Sequence, residues 1–97
     1  MDRVHRIGGS DFVWDVAKAA ANKRKHGVRF EDAATVFADP LFKLVEAVRG
    51  DEARFAAIGF DAGARLLFVV HVEMLGDVLR IISARPATRS EEADHAR

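Results

Sequence analysis

The chain has no cysteine, and that single absence removes two classes of protein. Disulfide scaffolds and cysteine-based zinc sites are excluded, and a reducing compartment suits the sequence. Long hydrophobic runs are missing too. The apolar stretch from Leu66 to His71 is much too short to cross a bilayer. Met1 to Gly9 is charged and lacks the apolar segment that a secretory signal needs. The expectation is a cytoplasmic protein without membrane contact. There is also no net charge, since 15 basic residues balance 15 acidic ones. Nucleic-acid-binding domains are usually basic overall, so phosphate binding would have to come from local patches. Lys23, Arg24, Lys25, His26 and Arg29 cluster near the start, and Arg80, Arg85 and Arg89 near the end.

Recognisable catalytic motifs are likewise absent. No glycine-rich phosphate loop of either common pattern occurs. His5, His26, His71 and His95 are scattered and lack metal-ligand spacing. Ser10 and Ser83 have no nucleophile-elbow context. The sequence therefore predicts no cofactor and no metal, and argues against a serine or metal hydrolase.

What is present is globular composition, 49% hydrophobic and 31% charged, in 97 residues, enough for one domain. Residues 1–11 read as a flexible leader ending in Gly8-Gly9-Ser10, and residues 12–97 as a single domain. Asp15 suits an N-cap, Val16 to His26 a helix, and Gly27 its C-terminal stop. Trp14, Ala17 and Ala21 fall at helical spacing and suggest its packing face. A second helix runs from about Phe30 to Ala38, with Phe30, Ala34 and Phe37 on one stripe and Pro40 stopping it. From Leu41 the period changes to two. Strands are expected over Leu41–Val48, Arg54–Phe60, Arg65–Met74 and Val78–Ala84, joined by short turns into an antiparallel meander. Thr88 to Arg97 reads as a short helix capped by Thr88 or a frayed tail. The predicted class is α+β: two N-terminal helices, a four-stranded antiparallel sheet with one face available to the helices, and a C-terminal helix or tail.

Strand alternation places His71 and Glu73 on one face. On the last strand it puts Arg80 on one face and Ser83 and Arg85 on the other, so that either a bulge lies between them, Arg85 lies beyond the strand end, or one of the two arginines is not in the site. Arg54 opens the second strand, and the first helix ends in Lys25 and His26. Such a set holds cations for a phosphodiester and a His or Glu for proton transfer. That suffices for metal-free RNA cleavage, because RNA supplies its own nucleophile, the ribose 2′-OH. Each residue also has a plainer reading. Arg54 and Arg80 could pair with Glu52 or Asp77, His71 could be a hydrogen-bonded, half-buried histidine, Glu73 a solvated carboxylate, Ser83 a small strand residue, and Lys23-Arg24-Lys25 a wetted helix face.

The spacing Trp14-Asp15-x-x-Lys18-x-x-x-Asn22-x-x-Lys25-His26-Gly27-Val28-x-Phe30-x-x-Ala33, followed by Val36-Phe37-x-Asp39-Pro40, resembles the opening of the BrnT toxin family. Arg54-Phe55-x-x-Ile58-Gly59, Leu66 to His71, and Arg80-Ile81-Ile82-Ser83-Ala84-Arg85-x-Ala87-Thr88 with Glu91 extend the resemblance to about residue 92. It implies a RelE-like ribonuclease fold, RNA cleavage that arrests translation, and neutralisation by a BrnA-type antitoxin similar to ribbon-helix-helix DNA-binding proteins. DNA would then be reached only through the antitoxin. The family's functional positions fall on Lys25, Arg54, Glu73, Ser83 and Arg85; the face argument adds Arg80 and His71. Arg29 stands where family members often carry a cap-forming serine, so the second helix is expected to start less firmly. The competing reading is a non-catalytic module that pairs with a DNA-binding antitoxin and helps it repress transcription.

Overall fold

A computed structural model describes residues 2–97. The segment read as a leader supplies one strand and the start of a second. β1 (Asp2–Ile7) pairs antiparallel with β2 (Ser10–Asp15). Gly8 and Gly9 form the tight turn at φ 59° and 81°. Two consecutive left-handed residues are what a two-residue hairpin of matching twist requires.

Helix α1 (Val16–His26) follows Asp15 directly and ends at Gly27, whose left-handed φ of 72° sends its N–H back to the Lys23 carbonyl. Helix α2 (Phe30–Ala34) runs on into a 3-10 turn over Thr35–Ala38, and Arg29 gives it no side-chain cap. The chain then lays down β3 (Lys43–Glu46), β4 (Phe55–Phe60), β5 (Leu66–Met74) and β6 (Val78–Pro86), and closes with α3 (Arg89–His95). The meander from β3 to β6 is antiparallel throughout, as the alternation implied.

The expected four-stranded antiparallel sheet is nevertheless overturned. The described residues form three helices and one six-stranded mixed sheet in the order β1-β2-β6-β5-β4-β3. The mixed character comes from β2, which lies parallel to β6 from Asp11↔Val78 to Val13↔Arg80. Neither N-terminal strand shows a clean period-two signal. β1 is an edge strand carrying Asp2, Arg3, His5 and Arg6, and β2 buries three successive residues, Phe12, Val13 and Trp14.

One face of the sheet meets α2 and the 3-10 turn. Phe30, Ala33, Ala34 and Val36 pack there against Phe12, Trp14, Ala57, Leu67, Val69, Ile81 and Ala84. The stripe predicted on α2 is therefore core. The stripe predicted on α1 is not: Ala17 and Ala21 are exposed, Trp14 belongs to β2, and Asn22 is the residue α1 buries. The second face is only partly open. Ala56 and Ile58 are buried outside the main cluster, and α3 lies over this side through Phe60–His95, Arg85–Glu91 and Lys43–Asp94 contacts.

Candidate active site

Strands β5 and β6 pair in register from Leu67↔Pro86 to Val70↔Ser83, then resume one residue out of step at His71↔Ile81. Ile82 is the extra residue, so a bulge sits in the middle of β6. A bulge lets two residues oppose one and restores a face that strict alternation would lose. Its effect is visible in burial: Ile81 and Ala84, three apart, both enter the core. Arg80, Ser83 and Arg85 are thereby left together on the second face, and the conflict between Arg80 and Arg85 disappears.

Cross-strand pairing lays this face out in rows. Arg85 stands opposite Phe68, Phe68 opposite Ile58, and Ile58 opposite Lys43. The Arg85 guanidinium lies 4.2 Å from the centroid of the Phe68 ring. The next row is Ser83, Val70, Ala56 and Val45. Arg80 pairs with Val72, and Arg54, one residue before the Phe55↔His71 pair, flanks Val72 from the other side. With strands about 4.8 Å apart, the Arg80 and Arg54 backbones are roughly 10 Å from each other.

Each of these arginines has a carboxylate partner. Arg80 makes a two-pronged contact with Asp2, Nη1 to Oδ1 at 3.1 Å and Nη2 to Oδ2 at 2.7 Å. Arg85 does the same with Glu91, at 2.7 and 2.8 Å. Arg54 Nε donates to Glu52 Oε1. The hydrogen bonds from Arg80 hold the Asp2 carboxyl below the usual carboxylate range and push the Arg80 pKa up; the charges of Asp15 and Glu52 act on Arg80 in the same direction. The Arg85–Glu91 pair behaves alike, with Glu91 lowered by its hydrogen bonds from Arg85 and Arg85 raised. The ion-pair reading of Arg54 with Glu52 is thus correct, whereas Arg80 pairs with Asp2 instead of Asp77.

His71 is not part of this face. It is 1% exposed on the helix-covered side, edge-on to Phe37 at 4.8 Å, with Nδ1 3.1 Å from the Val69 carbonyl. Burial lowers its pKa, outweighing the Val69 hydrogen bond and the Glu73 charge that raise it. A neutral imidazole donating from Nδ1 fits this setting. Glu73 shares the strand parity of His71 and is exposed near the strand end. Lys25 is exposed in the last turn of α1. The sheet therefore puts Arg54, Arg80, Ser83 and Arg85 on one face, with Arg85 four residues along β5 from the row of Arg54 and Arg80, and leaves His71 and Glu73 on its other side.

Sequence reasoning missed Asp2 and Asn22, and gave Glu91 no contact. Glu91 had a local signal, because it stands three residues after the capping Thr88 and closes a capping box with it. Asp2 had none, being 78 residues from its partner. A cavity of about 450 Å³ lies elsewhere, between Ile7, Gly8 and Ser10 at the hairpin tip and the Thr35–Pro40 and Phe60–Ala62 segments, and holds none of the candidate residues.

These features can be set beside known proteins. A family model described as the ribonuclease toxin BrnT of type II toxin–antitoxin systems matches residues 14–91. No curated protein matches the chain. Among solved structures, the crystal structure of the Brucella abortus ribonuclease toxin BrnT is similar, with 28% identity, a TM-score of 0.61, and coverage of 78% of this chain and 94% of that one. With the family model running from the end of β2 to the first turn of α3 and a solved member sharing the fold, this chain belongs to the BrnT ribonuclease toxin family of type II toxin–antitoxin systems.

Proposed function

We propose that this chain is an endoribonuclease toxin that cleaves RNA without a metal ion, arrests translation in the cytoplasm, and is neutralised by a BrnA-like ribbon-helix-helix antitoxin through which alone it meets DNA. The observation that carries the reading is the bulge at Ile82, which gathers Arg80, Ser83 and Arg85 on one face with Arg54 across Val72. The ribose 2′-oxygen attacks phosphorus and the bond to the 5′-oxygen breaks, leaving a 2′,3′-cyclic phosphate and a 5′-hydroxyl. The arginines stabilise the charge that gathers on the phosphoryl oxygens, and the Ser83 hydroxyl donates to one of them. Lys25 and the basic end of α1 would extend the phosphate-binding surface. Proton transfer falls to a carboxylate, and Glu52, beside Arg54 and acting on Arg80, is our assignment: it takes the proton from the 2′-hydroxyl and returns it to the departing 5′-oxygen. His71 and Glu73 stand behind the sheet and serve it structurally.

Inducible expression of the wild type beside Arg80→Ala and Arg85→Ala tests this, together with cleavage of RNA by purified protein in a metal chelator. Growth arrest by the wild type, its loss in both variants, and a drop in cleavage of about a hundredfold for either arginine are the expected results. A folded, abundant wild type that leaves growth and RNA intact would overturn the enzymatic reading in favour of the antitoxin-pairing module. Cleavage abolished by the chelator would overturn metal independence alone.

A further inference from the structure

Helix α1 buries a single side chain, Asn22, at 7% exposure. Its carboxamide makes three hydrogen bonds. Nδ2 donates to the Ala84 carbonyl at 2.8 Å and to the Val28 carbonyl at 3.0 Å, and Oδ1 accepts the Ala84 N–H at 3.1 Å.

The position explains the need. β2 pairs with β6 only as far as Arg80, so beyond that point β6 has a neighbouring strand on its β5 side alone. Ala84 turns its N–H and carbonyl to the vacated side while its residue surface is completely buried. Unmatched backbone groups in such a place are costly. The Asn22 amide offers one donor and one acceptor to the same residue, as a neighbouring strand would, and its second donor fastens Val28 in the connection to α2.

Ala84 stands between Ser83 and Arg85 and two residues beyond the bulge at Ile82. A bulge interrupts the ladder and loosens the register at that point, so the segment after it depends on what grips both flanks. We infer that Asn22 is a positioning residue for the arginine face: acting through the Ala84 backbone, it keeps Ser83 and Arg85 on the same side of the sheet as Arg80. This rests on the reading of that face as the RNA-cleaving site.

The test is a cycle of Asn22→Ala, Arg85→Ala and the double variant, measured as single-turnover RNA cleavage over a range of protein concentrations. Asn22→Ala is expected to lower the rate at saturation about tenfold or more. Its half-saturating concentration should move less than about threefold, since no phosphate contact is removed. In the Arg85→Ala background the same change should cost little further. An Asn22→Ala protein that melts earlier but cleaves at the wild-type saturated rate would overturn the inference, as would full additivity with Arg85→Ala. Should Asn22→Ala fail to fold, Asn22→Ser, which keeps a buried hydroxyl, carries the comparison. Amide exchange in the wild type is an independent readout: the Ala84 N–H must be protected, and rapid exchange there overturns the clamp. A wild type that cleaves no RNA overturns the ribonuclease reading and this inference together, whereas an active wild type with an unaffected Asn22→Ala overturns this inference alone.

Discussion

Asp2 engages both terminal nitrogens of Arg80, and it does so from β1, a strand outside the residues 14–91 that match the family model. An exposed pair of this kind adds little to stability, so its main effect is on the charge the face presents. Asp2→Asn keeps a hydrogen-bonding side chain and removes the competing charge. RNA binding should strengthen, and the plot of log affinity against log salt should steepen by about 0.7 for one additional phosphate contact with single-stranded RNA. Salt titrations of the wild type and Asp2→Asn read this directly, and unchanged slopes would show that Arg80 does not contact RNA. The same residues show what the sequence could and could not reveal of the site. Arg54 and Glu52 are two apart, and their pairing was readable. Arg80 and Arg85 appeared to point in opposite directions, because period-two alternation has no means of announcing a bulge. His71 and Glu73 were rightly placed on one face, but which face receives the helices depends on packing partners far away in the chain.

At the scale of elements, α3 shows how a helix survives without a core. It has seven residues, buries none of them, and is too short to hold itself together in water. Its supports are the Thr88–Glu91 capping box, the Arg85–Glu91 pair, Lys43 Nζ donating to the Asp94 and Arg97 carbonyls at 2.7 and 2.6 Å, and His95 Nε2 3.1 Å from Asp39 Oδ2. Thr88→Ala should cost about 1 kcal/mol of local stability and accelerate amide exchange over residues 89–95 while β5 stays protected; equal exchange in the two proteins would show that the cap is dispensable. β4 has the opposite vulnerability. A Cβ at Gly59 would meet Phe42 Cβ at 2.9 Å, Val36 Cγ1 at 3.0 Å and Asp39 Oδ2 at 3.1 Å, so Gly59→Ala is expected to lower unfolding free energy by about 1–3 kcal/mol in denaturant titrations. The Thr88 cap and the meander were legible because their signals are local. The β1–β2 hairpin was not, despite Gly8-Gly9 at its tip, because charge on an edge strand imitates a solvated leader and the pairing that defines β2 is with β6, more than sixty residues away.

For the whole molecule, the buried imidazole of His71 couples folding to pH. Its folded pKa lies below the ordinary imidazole value of about 6.5, chiefly because the core desolvates the charged form. The unfolded chain therefore binds this proton more readily than the folded one, and stability rises with pH while the two states differ. The contribution is complete above about pH 6.5 and is lost as pH falls below it, with a slope of at most about 1.4 kcal/mol per pH unit for one proton. Asp39 and Glu91 give a second, more acidic window. Burial tends to raise Asp39, but the Phe60 and Leu41 N–H groups and His95 overcome this, so its pKa ends up lowered; Glu91 is lowered by Arg85. Carboxyls with depressed pKa values stabilise above their ordinary range and lose that stabilisation as pH drops through it, beginning near pH 4. The two windows separate experimentally. Thermal melts of the wild type from about pH 7.5 down to about 5 should show a falling midpoint, and His71→Phe, which keeps an aromatic ring beside Phe37 and cannot titrate, should stay flat across that interval before both proteins fail in acid. A parallel decline of the two would assign the upper window to another histidine and remove His71 from the pH response of the fold.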